Sequence, residues 1–232
     1  MKILGIDETH RSNFMHYLPV CGVLTDTDWL PDNVYDSKAV KNGNLLETRK
    51  LYSRYVIRST IVRIPESLLD TYNVLDLELE AIKFIVQENR YSFDIIELDF
   101  LGKKKDYILK YLGLSDSQLV YKPKLDQQSK VVGMASVYAK ADRYSFEQDI
   151  KMPLCDYHYN QLSKMSFEEA IAIPGVRKRW IHSYFCRKYP DRVKDFNRIY
   201  RPIVRRLGKN DNIRMRRVWQ DGCETIFELE ID

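Results

Sequence analysis

The sequence lacks long apolar runs and closely spaced cysteines. No stretch of about 18 apolar residues occurs in the 232-residue chain, so a membrane-spanning helix is not expected. The chain opens with a strand-like segment rather than with the features of a signal peptide. Its four cysteines are far apart in sequence, which argues against a zinc site and against a disulfide framework. We therefore expect a soluble, cytoplasmic protein with reduced thiols and no membrane partner.

Positive charge is concentrated in one part of the chain. The formal net charge is +4, but residues 176–217 contain 15 Lys and Arg against 3 Asp, a local charge of +12 that leaves −8 on the rest. A basic region joined to an acidic one indicates a phosphate-binding surface beside a domain with clustered carboxylates. A solvated pair of basic helices is the plainer alternative.

Apolar periodicity predicts antiparallel strands followed by alternating helices and strands. The predicted strands are 1–8, 19–25, 55–64, 93–98 and 119–122, and the predicted helices are 75–87, 105–112 and 135–150. The first two strands are expected to form a hairpin. This order predicts an α/β fold in which helices flank a mixed sheet, occupying residues 1–152.

Aromatic and basic residues dominate beyond Pro153. Helices are predicted near 167–173 and over 176–187, and the last residues, from 218 onward, look strand-like. We therefore predict a basic, mainly helical C-terminal extension over residues 153–232, packed on the first domain.

Three consecutive basic residues in this extension are candidate nucleic-acid contacts. Arg177, Lys178 and Arg179 precede several aromatic residues, and this combination offers both phosphate-neutralising charge and stacking surface. The aromatics could equally be core residues. The Pro174-Gly175 step before them has some likeness to a helix-hairpin-helix turn, although Pro-Gly is more often an ordinary helix break.

Acidic residues stand at the ends of two predicted strands. Asp7 and Glu8 close the first strand, and Asp99 closes the fourth. Carboxylates at strand ends can converge at one edge of a sheet, and oxygen ligands of this kind suit Mg²⁺. Two such ions about 4 Å apart can activate a water and stabilise the leaving oxygen in phosphodiester hydrolysis. Acids at strand ends are also common in ordinary turns.

A series of short motifs resembles the type 2 ribonucleases H (RNase HII) in both residues and order. The motifs are Gly5-Ile6-Asp7-Glu8 with Arg11, Pro19-Val20, Asp36-Ser37-Lys38, Asn73, Asp99, Asp126, Ala135-Ser136 and Ala139-Lys140. An ordered series is far more specific than any single motif. The resemblance extends from residue 1 to about residue 150.

The resemblance implies a ribonuclease H-like fold and an endonuclease that cuts the RNA strand of RNA/DNA hybrids or duplexes with an embedded ribonucleotide. It implies that Asp7, Glu8 and Asp99 hold Mg²⁺ or Mn²⁺, as two ions. Nucleic-acid contacts are expected from residues in several of the motifs. These are Arg11, Ser12, Ser37, Lys38 and Lys140.

The chain departs from the family pattern at two places. Residues 10–12 read His-Arg-Ser where the family has Gly-Arg-Gly, so discrimination of ribose from deoxyribose is expected to be weaker. The family's acid in the helix after Ala-Lys corresponds to Tyr144. We therefore assign the fourth catalytic and metal-binding carboxylate to Asp142, with Glu147 as the alternative.

Two other functions fit the same residues. A non-catalytic nucleic-acid-binding protein would keep the fold and the basic surface. A DNA-directed nuclease would follow from the altered ribose-sensing residues, since fold alone does not fix the substrate.

Overall fold

The structure is a computed structural model that describes most of the chain. The described ranges are 1–9, 16–30, 34, 38–41, 44–149, 162–208 and 210–232, with the side chains of 147–149 left out. Within these ranges no helix is both long enough and apolar enough to cross a membrane.

One mixed sheet contains the seven strands found in the described ranges. They are β1 Lys2–Glu8, β2 Leu18–Asp26, β3 Val56–Ile64, β4 Ile95–Asp99, β5 Leu119–Lys122, β6 Ile213–Asp221 and β7 Glu224–Ile231. Their order across the sheet is β5-β4-β1-β2-β3-β7-β6. The predicted hairpin is confirmed, because β1 and β2 pair antiparallel with Ile6 opposite Gly22.

Helices cover both faces of this sheet. They are α1 Leu45–Tyr52, α2 Glu66–Thr71, α3 Val74–Glu88, α4 Lys105–Leu112, α5 Lys130–Asp149, α6 Phe167–Ala172, α7 Lys178–Lys188 and α8 Val193–Ile199. The apolar side of α3 packs in one core with β1, β3 and β4 residues, whereas α5 packs in a second core with α1. The predicted α/β fold with a mixed sheet is therefore confirmed.

Glycine allows α5 to lie unusually close to β1. A Cβ atom on Gly5 would stand 2.6 Å from the backbone carbon of Val131, a distance that real Cβ atoms do not show. Gly5 therefore sets how near the first turns of α5 come to the strand that carries Asp7.

The C-terminal part of the chain is not a separate extension. Strand β7 pairs in parallel with β3, with Ile61 opposite Ile226, and β6 pairs with β7. Phe227 and Leu229 belong to the same core as residues of β1 and α3. A division at residue 152 therefore does not coincide with a structural boundary, because β6 and β7 complete the main sheet.

Residues 162–200 form a small helical unit with a core of its own, called here the C-terminal helical unit. Phe167, Phe185 and Phe196 are buried together at its centre. Ser166 begins α6 with a capping box in which its hydroxyl and the Glu169 side chain satisfy each other's backbone N–H groups. The predicted helices near 167–173 and 176–187 are confirmed as α6 and α7, with small shifts of their ends.

Candidate active site

Two strand ends place acidic residues next to each other. Strands β1 and β4 are parallel neighbours, with Ile6 opposite Leu98. The next residues along each strand are Asp7 and Asp99, so both lie at the same edge of the sheet. The sequence prediction that these strand-end acids would converge is confirmed by this register.

Asp7 is buried at this edge, with 7 % of its surface exposed. Its carboxylate accepts a hydrogen bond from the Ser136 hydroxyl of α5. Burial raises the pKa of Asp7 well above its usual range. The negative charges of Glu8, Asp126 and Asp99 raise this pKa further. Asp7 and these three residues are called here the acid cluster.

Asp126 joins the acid cluster from the turn between β5 and α5. It lies in a short 3-10 turn that follows Lys124, whose φ of 58° is left-handed. The backbone N–H of Leu125 donates to Asp99 Oδ1 at 3.0 Å, which ties this turn to the end of β4. Asp126 is 6 % exposed. The turn thus brings a fourth acid to the edge where β1 and β4 end.

The start of α5 is fixed by a serine cap. Ser129 Oγ accepts hydrogen bonds from the N–H groups of Val131 and Val132, both at 3.1 Å, and its hydroxyl donates to Glu97 of β4. This cap explains why α5 begins at Lys130 rather than at residue 135, as periodicity predicted. The cap also holds the helix that carries Ser136 against β4.

Lys38 forms an ion pair with Asp126. The side chain of Lys38 is 69 % exposed, whereas Asp126 is buried, so the ammonium group reaches into the acid cluster from solvent. A phosphate group and Asp126 would be alternative partners for the same ammonium group. The predicted role of Lys38 in binding phosphate stays a prediction, but its position beside the acids agrees with that role.

The acid cluster has the donor chemistry of a site for a hard divalent cation. Its ligands are carboxylate oxygens, which Mg²⁺ and Mn²⁺ prefer over nitrogen or sulfur. Within the described ranges, no three metal-binding side chains form a ready-made coordination shell. Lys38 and the Leu125 amide instead contact Asp126 and Asp99. A cation would take the place of the Lys38 ammonium group at Asp126.

Asp142, the predicted fourth ligand, is engaged elsewhere. Arg63 of β3 holds both of its oxygens, with Nη2 at 2.6 Å from Oδ1 and Nε at 3.0 Å from Oδ2. The Tyr17 hydroxyl donates to Oδ2 at 2.8 Å. Because a bidentate guanidinium and a phenol already satisfy this carboxylate, the structure does not place Asp142 in the acid cluster, contrary to its predicted position.

Comparison with known proteins shows which proteins the chain resembles. No family model matches the chain. Ribonuclease HII of Francisella tularensis subsp. holarctica is 28% identical over 149 residues, covering 62% of this chain and 72% of the relative. The ribonuclease H2 structure from Pyrococcus horikoshii OT3 matches with a TM-score of 0.64 and 20% identity, over 85% of this chain and 99% of that chain. The chain is RNase HII-like.

A second solved structure extends the likeness in fold. Bst-RNase HIII in complex with Mn²⁺ matches with a TM-score of 0.53 and 15% identity, over 84% of this chain and 64% of that chain. The RNase HII-like chain thus has a ribonuclease H-type fold, as the ordered motifs predicted.

The three consecutive basic residues of the RNase HII-like chain have different environments. Arg177 is only 4 % exposed, and its Nε donates to the His16 carbonyl at 2.9 Å. Arg179 donates to the Tyr72 carbonyl at 3.0 Å, whereas Lys178 is exposed. Arg177 is therefore corrected from a surface contact to an interior residue, because its side chain packs between elements of the fold. Lys178 stays a predicted nucleic-acid contact.

Several predicted site residues lie outside what the structure describes. These are Arg11, Ser12, Ser37 and the side chain of Glu147, together with His10 of the altered family motif. Lys140 is described and lies half-buried on α5. Their predicted roles stay predictions.

Sequence reasoning missed one residue of the acid cluster. Asp126 was matched to a family motif but was given no metal-binding role, because a loop acid shows no periodicity that would place it. Asp126 lies four residues before the start of α5, in a turn held by Asp99, and this position is visible only in the structure.

Proposed function

We propose that this chain is a metal-dependent endonuclease of the ribonuclease H type. Its substrate would be the RNA strand of an RNA/DNA hybrid or a duplex that contains a ribonucleotide. The observation that carries the proposal is the acid cluster, in which the charges of three other carboxylates act on the buried Asp7 at the edge where β1 and β4 end. A bound cation would relieve this repulsion between like charges. The likeness to ribonuclease HII supports the same conclusion.

Each acid has a role in this proposal. Asp7 and Asp99 would hold the better bound of two ions, Mg²⁺ or Mn²⁺, and Glu8 with Asp126 would complete a second position. The Mn²⁺ complex of the RNase HIII neighbour supports the use of a divalent metal. When bound, such ions supply Lewis-acid stabilisation of the phosphate and an activated water.

The remaining residues would orient this group. The Ser136 hydroxyl fixes one carboxylate oxygen of Asp7, and the Leu125 amide fixes one of Asp99, so neither acid rotates freely. Lys38 would move from Asp126 to a phosphate oxygen of the substrate once a cation is bound. The ammonium charge would then contribute to substrate binding instead of neutralising the acid cluster.

Duplex binding is assigned to exposed basic residues rather than to the buried ones. Lys178 is exposed at the start of α7, in the region that carries a charge of +12 over residues 176–217. Arg11, Ser12, Ser37 and Lys140 are kept as proposed contacts. Such contacts make affinity strongly dependent on salt.

Cleavage of four labelled duplexes tests the proposal. Purified protein is incubated with RNA/DNA hybrid, single-ribonucleotide duplex, duplex DNA and duplex RNA, each with Mg²⁺, with Mn²⁺ and with EDTA. We expect cleavage of the first two substrates, dependent on metal and absent in Asp7→Asn. Binding of hybrid without cleavage would instead identify a non-catalytic nucleic-acid-binding protein. Equal cleavage of duplex DNA would identify a DNA-directed nuclease.

A further inference from the structure

The C-terminal helical unit is joined to the start of β2 by a reciprocal pair of hydrogen bonds. Arg177 Nε donates to the His16 carbonyl at 2.9 Å, and the His16 N–H donates to the Gly175 carbonyl at 2.7 Å. All of the backbone groups involved belong to residues that are buried or half-buried. This contact is therefore a fixed junction between the two parts of the fold.

A second arginine holds the next residue. Arg143 of α5 donates from Nη1 to the Tyr17 carbonyl at 2.7 Å, so two adjacent carbonyls each accept a hydrogen bond from a buried guanidinium. Arg143 is fully buried. Burial, together with the nearby positive charge of Arg143, lowers the pKa of Arg177 to about 9. Burial of two guanidinium groups near each other is energetically unfavourable, so the surrounding packing must hold them in place.

His16 itself has a strained backbone. Its φ is 52°, a left-handed value that is uncommon for residues other than glycine. Its ring packs edge-on against Phe146 at 5.3 Å between centroids. A Cβ atom on Gly175 would stand 2.7 Å from Nδ1 of the same ring, so the glycine leaves room for His16. A strained backbone conformation of this kind persists only where several surrounding contacts hold it in place.

The junction is close in sequence and in hydrogen bonding to the acid cluster. Strand β2 begins at Leu18, directly after Tyr17, and Val20 pairs with Glu8. The Thr9 N–H donates to the Pro19 carbonyl at 3.3 Å. The first residues of β2 therefore hold the backbone of the strand end that carries Glu8.

We propose that Arg177 is a positioning residue for metal binding. Through the His16 carbonyl it fixes the start of β2, and through β2 it fixes the place of Glu8 in the acid cluster. The C-terminal helical unit thus takes part in assembling the metal site and does not act only as a surface for nucleic acid. This inference rests on the proposed function, because it assigns Glu8 to a bound cation.

Arg177→Met tests the proposal, with Lys178→Met as a matched control on the neighbouring, exposed residue. Mn²⁺ affinity is measured by thermal shift, which needs no activity, and hybrid affinity is measured in Ca²⁺ at several salt concentrations. Substitution of residues that orient metal ligands typically weakens metal affinity by about 10- to 100-fold. For Arg177→Met we expect the Mn²⁺ midpoint to rise by about tenfold or more, kcat to fall, and KM and the salt slope to stay unchanged.

Lys178→Met should show the opposite pattern. Its Mn²⁺ midpoint should stay at the wild-type value, while the salt slope of hybrid binding falls by about 1 for the lost phosphate contact. If Arg177→Met instead flattens the salt slope and leaves the Mn²⁺ midpoint unchanged, Arg177 is a phosphate ligand and the proposal is wrong.

Two milder variants keep the test decisive if Arg177→Met does not fold. Arg177→Lys retains a donor for the His16 carbonyl and should recover part of the Mn²⁺ affinity. Gly175→Ala crowds the His16 ring without changing any charge and should raise the Mn²⁺ midpoint in the same direction. An unchanged midpoint in folded Gly175→Ala would overturn the proposal. If the wild-type protein binds Mn²⁺ but cleaves no substrate, the proposed function fails while the midpoints still decide the role of Arg177.

Discussion

Two aspartates of this fold are almost equally buried but have opposite surroundings. Asp7 is 7 % exposed and Asp142 is 2 % exposed. The charges of three carboxylates act on Asp7, whereas Arg63 and the Tyr17 hydroxyl contact Asp142. Burial alone therefore does not distinguish a functional carboxylate from a structural one. The sign of the neighbouring charge does, because carboxylates dominate the charges that act on Asp7, whereas a guanidinium group holds Asp142.

The largest difference between the effects of substituting Asp7 and Asp142 should appear in catalysis. Asp7→Asn removes a proposed metal ligand and should lower kcat/KM on hybrid by at least about 1,000-fold, which corresponds to about 4 kcal/mol of transition-state stabilisation. Asp142→Asn should keep kcat/KM within about tenfold of wild type at temperatures where it is folded. Single-turnover cleavage assays measure both values. Equal losses in the two variants would show that Asp142 also acts at the reacting phosphate.

For stability, the larger loss should come from Asp142→Asn rather than from Asp7→Asn. Asp142→Asn removes the buried carboxylate that pairs with the half-buried Arg63 and should lower the free energy of unfolding by about 3 kcal/mol. Asp7→Asn removes repulsion within the acid cluster and should leave the metal-free protein as stable as wild type or more stable. Urea denaturation in EDTA measures both. A large destabilisation by Asp7→Asn would mean that the cluster is already neutralised by protein groups.

Bound Mn²⁺ should stabilise the folded protein through the carboxylates of the acid cluster. At about one hundred times its Kd, a bound ion stabilises the folded state by about 2.7 kcal/mol. Wild-type protein should show this increase in Mn²⁺, and Asp126→Asn should lose the part that comes from the second, more weakly bound ion. Glu147→Gln, which tests the alternative assigned from sequence, should behave as wild type. Loss of the Mn²⁺ effect in Glu147→Gln but not in Asp126→Asn would exchange their roles.

The smallest effect is expected at Tyr144. Because Asp126 supplies the fourth carboxylate, Tyr144→Asp should change kcat/KM and the Mn²⁺ midpoint by less than about twofold, a free-energy change well below 1 kcal/mol. Titration of cleavage against Mn²⁺ checks this expectation. A clear gain at low metal concentration would restore the assignment of the missing acid to this helix position.

The parts of the fold that follow local periodicity were predictable from the sequence. The strand-like segment over 1–8 and the predicted helix over 105–112 correspond to β1 and α4 with close to their observed bounds. The parallel register of β1 and β4 then brought Asp7 and Asp99 together, as the strand ends predicted.

The parts that depend on long-range packing were not predictable. Asp126 reaches the acid cluster through a turn, and a turn has no period. Arg177 was read as a surface residue because its sequence neighbours are charged, yet the contact with His16 spans 161 positions of the chain. The pairing of β7 with β3 left no local signal in either strand.

The position of β7 has a consequence for how the protein forms. Strand β7, at Glu224–Ile231, lies between β3 and β6, so an inner position of the sheet is filled by residues that the ribosome adds long after β3. Pairing between strands so distant in sequence is slow, because a long loop must close before any contact forms. Until then β3 presents an open edge, which is a template for association with other chains. Nascent or truncated chains that end before Glu224 are thus the form most exposed to aggregation.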